Sequence, residues 1–156
     1  GQLVAYPIVD LSGLEMKASG YVHLLGEVLV SLLKDYGFDP YASSDVAHPG
    51  VFVRIEGSND KKIAAIGIQI KKYSPDDKKI TMHGAALNVT TDLSGYDVIT
   101  PCGDVQPHIT SMSERTQRQY DTNAIADKFT AKFVEKFSLT RLEEAPENLE
   151  RLLKSV

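Results

Sequence analysis

The sequence predicts one domain of the α/β (α+β) class, in which helices pack on a mixed sheet. The chain has 156 residues, of which 42% are hydrophobic, and this length suits one core better than two. Two segments repeat apolar residues at helical spacing, whereas several others have the composition of strands. These elements interleave without a repeated strand–helix–strand pattern, so we expect a mixed sheet.

The beginning of the chain is predicted to form a strand and then a long helix. The strand covers residues 3–11, and Pro7 indicates an edge or a bulge because proline has no N–H to donate. Ser12 and Glu15 have the spacing of a capping box. From about residue 18 a core helix is predicted, and Gly37 stands where a left-handed cap would end it. Its apolar face comprises Val22, Leu25, Leu29, Leu32, Leu33 and Tyr36.

The middle of the chain reads as strands separated by turns. Residues 40–50 are rich in turn formers, and a hairpin follows them. Gly67 lies inside the second arm of this hairpin, where a glycine often marks close approach by a ligand or another backbone. The predicted strands are residues 51–55, 63–73 and 80–89, with a polar loop over residues 74–79.

A second long helix is predicted over residues 123–137. Ile125, Phe129, Phe133 and Phe137 recur at four-residue steps, and Thr122 or Asn123 can cap the helix. Residues 149–153 add one or two amphipathic turns.

Composition and motifs argue against several classes of function. A net charge of −4 leaves no basic footprint for nucleic acid. The longest nearly apolar run, residues 28–33, is too short to span a membrane. No phosphate-binding glycine loop and no His/Cys pairs at metal spacing occur, which disfavours ATP use and a metal site. The single cysteine suits a reducing compartment better than a secreted scaffold.

Cys102 is the candidate nucleophile. It stands between Pro101, which fixes the approach of the chain, and Gly103, which lets backbone N–H groups come close to a bound carbonyl oxygen. A buried cysteine that serves only as a small apolar residue is the alternative, and the local spacing does not decide between the two.

Lys62 and His83 are the candidate partners of this thiol. Lys62 enters an apolar strand, and desolvation there can suit a lysine to act as a base near neutral pH. A solvated lysine beside a hairpin turn is the alternative. His83 precedes Gly84 in a strand and can polarise a carbonyl or line a pocket, or can simply be hydrogen-bonded in place.

Several linked blocks of sequence resemble the octanoyltransferase family, also called lipoate-protein ligase B. The resemblance runs from Gly1 to about Phe137, in the family's order. The blocks are Gly1-Gln2-Leu3-Val4-Ala5-Tyr6-Pro7, Lys62-Ile63-Ala64-Ala65-Ile66-Gly67, His83-Gly84-Ala85-Ala86-Leu87-Asn88-Val89, Asp92-Leu93, Pro101-Cys102-Gly103 and Thr110-Ser111-Met112.

The resemblance implies a biotin/lipoate protein ligase-like fold and an acyl transfer. Octanoyl would pass from acyl carrier protein to Cys102 as a thioester, and then to a lysine of a lipoyl domain, in 2-oxoacid dehydrogenases or the glycine cleavage H protein. Lys62 would activate the thiol and shuttle its proton. Ala65, Ile66 and Gly67, with His83, Gly84, Ala85 and Ala86, would line the substrate site. No cofactor beyond the carrier's phosphopantetheine, no metal, no nucleic acid and no membrane partner is implied.

The chain also departs from the family pattern. The Arg-Gly-Gly…Tyr-His-Gly-Pro segment that precedes Gly1 in the family is absent, so we expect residues 1–156 to be a single, N-terminally truncated catalytic domain. The loop over residues 72–79 looks longer than in bacterial relatives, and Gln69 replaces a common arginine. Cytoplasm or mitochondrion is expected, according to whether the source is bacterial or eukaryotic.

Two other hypotheses remain open at this point. In the first, the chain is a non-catalytic piece that folds or binds partners without holding substrate, which the absent segment suggests. In the second, it is a relative of the biotin or lipoate ligases that works from an adenylate, which the lack of a phosphate loop disfavours.

Overall fold

An antiparallel five-stranded sheet forms the framework of the protein. The computed structural model describes residues 1–43, 45, 48–99 and 108–139. The elements in chain order are β1 Gln2–Ala5, α1 Ala18–Lys34, β2 Pro40–Ala42, β3 Gly50–Val53, β4 Lys61–Tyr73, β5 Lys78–Asn88, a 3₁₀ helix Leu93–Val98, α2 Met112–Thr116 and α3 Thr122–Lys136. The strand order is β1-β5-β4-β3-β2. Residues 44, 46, 47, 100–107 and 140–156, and with them Cys102 and the predicted turns at 149–153, lie outside the described part.

One face of the sheet is covered by α1. Gly26 allows the close approach, because a β-carbon there would lie 3.0 Å from Cβ of Ala42 and 3.7 Å from Cδ1 of Ile66. The four leucines of the predicted apolar stripe are buried, whereas Val22 and Tyr36 are half-buried. Gly37 has the positive φ of 82° that a left-handed cap requires. The helix, its buried leucines and its cap are therefore confirmed.

The second long helix, α3, packs against α1 and β1. Phe129, Phe133 and Phe137 are buried, and the Phe137 ring lies 5.7 Å from that of Tyr21 in α1. The helix is confirmed but its predicted cap is wrong: Asp121, not Thr122 or Asn123, is the N-cap, and its carboxylate accepts from the Asn123 N–H.

The structure confirms the predicted fold class and corrects two details near the N-terminus. β1 ends at Ala5, before Pro7, and the chain meets β5 again only through the bridge between Asp10 and Ile80. Ser12 and Glu15 form no capping box. Asp10 accepts from the Ser12 N–H, while the Ser12 hydroxyl accepts from the Lys79 N–H, so α1 begins only at residue 18.

Strand pairing in the middle of the chain confirms the predicted hairpin of β3 and β4 and adds a second hairpin, of β4 and β5. β3 pairs with β4, and β4 with β5, all antiparallel, and parallel pairing in the described residues is limited to a bridge between Lys62 and Ile109. β2 lies within residues 40–50, where only turns are predicted. None of the helices described is long and apolar enough to cross a bilayer.

We expect Gly84→Ala to destabilise the fold by about 2–4 kcal/mol in a urea titration. Its new methyl group would collide with the backbone oxygen of Ala5 and lie 2.9 Å from Cδ of Pro7. Gly67→Ala is the matched control, because Gly67 is the register partner of Gly84 and a β-carbon there meets nothing within 4 Å. Equal stability of the two variants would contradict the close passage of Ala5 and Pro7 over Gly84.

Candidate functional site

A β-bulge in β4 decides which way the Lys62 side chain points. Phe52 pairs with Lys62, and the preceding residue Val51 pairs with Ala64, so Ile63 is an extra residue in β4. Paired residues share a face and neighbours along a strand alternate. Val51 and Ala64 are buried on the side that α1 covers. Lys62 therefore lies on the opposite face, called here the open face.

The Lys62 side chain extends over β3. Its Nζ lies 5.4 Å from the ring centroid of Phe52, within the range of a cation–π contact. A β-carbon at Gly50 would lie 2.9 Å from Cε of Lys62 and 2.6 Å from the oxygen of Ala64. Glycine at position 50 thus makes the room in which the half-buried lysine lies.

Small residues occupy the open face beside Lys62. The register aligns Gly50, Ala65, Ala86 and Val4 across four strands, and Gly67 with Gly84 in the next row. Ala65 and Gly67 are exposed, and nothing lies within 4 Å of the position of a Gly67 β-carbon. This strip of small residues, called here the trough, begins beside the Lys62 side chain.

The remaining residues predicted for the site are divided between the two faces. Ile66 and Ala85, which pair with each other, are buried on the α1 side and are 6% and 4% exposed. His83 is exposed, has a φ of 61°, and its ring meets Tyr6 edge-on at 5.7 Å. Gly84 lies under Ala5, as described above. The structure thus brings Lys62, Ala65, Gly67 and Ala86 together, and it does not place Ile66 or Ala85 beside them.

Residues 108–110 bind directly to the backbone of Lys62. The Lys62 N–H donates to the oxygen of His108 at 2.7 Å, and the Thr110 N–H donates to the oxygen of Lys62 at 2.9 Å. β5 pairs with β4 only as far as Ala64, so this short parallel segment takes the place beside β4 that β5 leaves. Residues 108–110, which follow Cys102 in the chain, are therefore hydrogen-bonded to β4 at Lys62.

A polar cluster, called here the Thr110 clamp, holds this segment. Its members are Thr110, Asn88, Glu114 and Lys61. The Asn88 amide donates to the oxygen of Thr110 at 3.1 Å, and the Thr110 hydroxyl donates to the Glu114 carboxylate. Lys61 forms an ion pair with Glu114 at 3.2 Å. Thr110 and Asn88 are 0% and 4% exposed, so breaking these bonds would leave buried polar groups unpaired.

Sequence reasoning missed the role of Glu114, although a signal for it is present. Ser111 and Glu114 have capping-box spacing, and the Ser111 hydroxyl accepts from the Glu114 N–H at 3.1 Å to begin α2. Burial raises the pKa of Glu114, but hydrogen bonds from Thr110 and Lys61 and the nearby Lys61 charge lower it by more. The net effect is a pKa below the ordinary value of 4.5.

The described residues contain no group of three or more His, Cys, Asp or Glu side chains able to hold a metal ion. The described site offers the Lys62 amine beside a row of small residues.

The sequence matches a protein-family model. The lipoyl protein ligase A/B catalytic domain matches residues 1–134. An octanoyltransferase from Caldanaerobacter subterraneus subsp. tengcongensis is 37% identical over 139 residues, covering 89% of this chain and 55% of that protein. The mitochondrial octanoyl-acyl-carrier-protein:protein N-octanoyltransferase of Danio rerio is 36% identical over 140 residues, covering 90% and 56%. The chain thus spans about half the length of these curated relatives.

Solved structures share the fold at lower identity. The apo biotin protein ligase of Aquifex aeolicus superposes with a TM-score of 0.58 at 19% identity, covering 88% of this chain and 53% of that one. A lipoate-protein ligase A bound with ATP gives a TM-score of 0.56 at 17% identity, covering 99% and 58%. These similarities confirm the expected biotin/lipoate protein ligase-like fold.

We expect Glu114→Gln to lower the free energy of unfolding at pH 7 by about 1 kcal/mol, a small value because the carboxylate is partly exposed to water. The lowered pKa means that the ionised carboxylate stabilises the fold above pH 4.5 and loses this effect as the pH falls through the lowered value. The difference between wild type and variant should therefore shrink in urea titrations between pH 6 and about pH 3. Glu135→Gln, at an exposed position of α3, is the control. A difference independent of pH would contradict this role of Glu114.

Proposed function

Because the chain belongs to the lipoyl protein ligase A/B catalytic-domain family, we propose that it carries the acyl-transfer centre of an octanoyltransferase. Octanoyl passes from acyl carrier protein to Cys102 as a thioester, and then to a lysine of a lipoyl domain. The names of the relatives support the donor and the reaction. The acceptor and the intermediate rest on the sequence resemblance.

One structural observation carries the proposal: residues 108–110 are hydrogen-bonded to the backbone of Lys62. His108 is six positions after Cys102, and six steps along an extended chain span at most about 22 Å. This length of chain allows the Cys102 thiol to reach the residue that the resemblance pairs with it. Lys62 is on the open face, beside the trough, where a thioester can reach its amine.

The first step exchanges one thioester for another. The Lys62 amine takes the proton of the Cys102 thiol, and the thiolate attacks the carbonyl carbon of the donor thioester. The carbon–sulfur bond to the carrier breaks, and the carrier thiolate leaves with the proton that Lys62 returns. The bond formed and the bond broken are of one kind, so the step needs no ATP and no further cofactor.

The second step forms the amide. The neutral amine of the acceptor lysine attacks the carbonyl carbon of the Cys102 thioester, and the carbon–sulfur bond breaks. Lys62 accepts a proton from the attacking nitrogen and delivers it to the departing sulfur of Cys102. The products are an octanoyl-lysine amide and the free thiol, and the replacement of a thioester by an amide runs downhill.

The acyl chain lies along the open face in this proposal. Ala65, Gly67 and Ala86 leave room for an unbranched alkyl group. Ile66 and Ala85 act from the other side of the sheet, where they hold β4 and β5 against α1. The reaction takes place in the cytoplasm if the source is a bacterium and in the mitochondrion if it is a eukaryote.

We expect wild-type chain incubated with octanoyl-acyl carrier protein to gain one octanoyl group in intact-mass spectra. The adduct should be removed by hydroxylamine and be absent from Cys102→Ser, since the chain has one cysteine. Lys62→Ala should form it about a hundredfold more slowly, because proton transfer typically contributes 10²–10⁴-fold. Lys72→Ala, on the same strand but the other face, is the matched control.

Each other hypothesis predicts a distinct result in this assay. A non-catalytic piece that folds without holding substrate gains no adduct. A ligase that works from an adenylate modifies the acceptor only when octanoate and ATP are supplied. An adduct that persists in Cys102→Ser would overturn the assignment of the nucleophile.

We expect Gly67→Val to slow octanoyl transfer about tenfold while leaving transfer from a butanoyl donor nearly unchanged, because its methyl groups fill the trough where the longer chain lies. Gln69→Val adds an apolar side chain to the same face two residues further along β4 and is the control. Rates with both donors measure the selectivity. Equal loss with the two donors, or no loss, would contradict an acyl chain lying over Gly67.

A further inference from the structure

The β4–β5 hairpin extends well beyond the rest of the sheet. β3 pairs with β4 only as far as Ala65, and β1 pairs with β5 only from Ala85 onwards, whereas the hairpin register continues to Tyr73 and Lys78. Residues 68–73 and 78–83 thus form the far end of the hairpin, called here the distal ribbon. Residues 9–12 are hydrogen-bonded along its β5 edge, at Thr81 and Lys79, and Ile68 and Ile70 pack against the core.

The end of the distal ribbon carries unpaired positive charge. Its four lysines are Lys71, Lys72, Lys78 and Lys79, in a chain whose net charge is −4. All four are exposed, and none of them is in the ion pairs of the described residues.

The register divides these lysines between the two faces. Lys72 and Lys79 are on the α1 side, where they line a cavity together with the carboxylates of Glu15, Asp76 and Asp77. Lys71 and Lys78 are on the open face, with Tyr73, whose side chain is 50% exposed. The open-face pair therefore continues the same surface as Lys62 and the trough.

We propose that Lys71, Tyr73 and Lys78 form a docking surface for the acidic body of the acyl carrier protein. The inference rests on the proposed function, which makes that protein the acyl donor. Opposite charges steer the encounter and orient the partner, and a half-exposed tyrosine between two lysines adds apolar contact to a polar surface.

Distance favours the donor over the acceptor as the occupant. Lys71 is nine residues from Lys62 along β4, or about 30 Å at roughly 3.3 Å per residue. A carrier protein presents its thioester at the end of a long flexible arm, so its body can dock far from the reacting atoms. A lipoyl domain presents only a lysine side chain, so its body must lie close to the site.

The test is the affinity of the chain for octanoyl-acyl carrier protein, measured by fluorescence anisotropy at low ionic strength. Lys71→Glu/Lys78→Glu should weaken binding at least about tenfold and flatten its salt dependence, because steering charges act through screened Coulomb forces. Transfer from octanoyl-N-acetylcysteamine, a thioester without a protein body, reports separately on folding and on the acyl-transfer centre.

Two control variants make the same change in charge. Lys34→Glu/Arg118→Glu alters exposed residues outside the distal ribbon, and Lys72→Glu/Lys79→Glu alters its opposite face. Both should bind the carrier more tightly than Lys71→Glu/Lys78→Glu does. If wild type does not transfer octanoyl from the small thioester, the proposed function is rejected. The binding measurement does not depend on transfer and tests the docking surface separately.

Three results would overturn the inference. The first is that Lys71→Glu/Lys78→Glu binds the carrier as tightly as wild type does, which is expected if the lysines only prevent pairing of an exposed strand edge. The second is that these substitutions weaken binding of a lipoyl domain and not of the carrier. The third is that vesicles of anionic lipid bind wild type but not Lys71→Glu/Lys78→Glu, while carrier binding is unchanged.

Discussion

One extra residue in β4, Ile63, determines where the Lys62 amine lies. Without the bulge, Lys62 would share a face with Ala64 and Ile66 and would be directed into the layer beneath α1. With it, the amine emerges beside Phe52 and Gly50, on the face of the sheet opposite α1. The residue proposed as the proton carrier and the small residues proposed to hold the acyl chain are on one surface because of this single irregularity.

The second constraint is the Thr110 clamp. The segment after Cys102 pairs with the backbone at Lys62, so the bulge and the returning chain meet at the same residue. Asn88 and Glu114 act from opposite sides on Thr110, one on its carbonyl and one on its hydroxyl. A site that depends on the distance between a thiol and an amine gains from such a rigid attachment, because small displacements are costly in catalysis.

Apolar periodicity and turn residues predict α1, α3 and the hairpin of β3 and β4, since each depends on local sequence. They do not predict the bulge, because the β4 sequence alternates poorly and register depends on the β3 partner. β2 escapes notice because three residues among turn formers carry no period. At the site, the resemblance singles out Lys62, Gly67 and Gly84, and the structure supplies a reason for Gly84, over which Ala5 passes. Cys102 lies outside the described residues, so its role stays a prediction.

The most direct test of the account is the direction of the Lys62 side chain in solution. Nuclear Overhauser contacts from its ε-methylene protons can be recorded on chain with selectively labelled lysine, phenylalanine, glycine, valine and alanine. The account predicts contacts to the ring of Phe52 and to the α-protons of Gly50. Contacts to Val51 and Ala64 instead would place the amine beneath α1, away from the trough, and would contradict the proposed site.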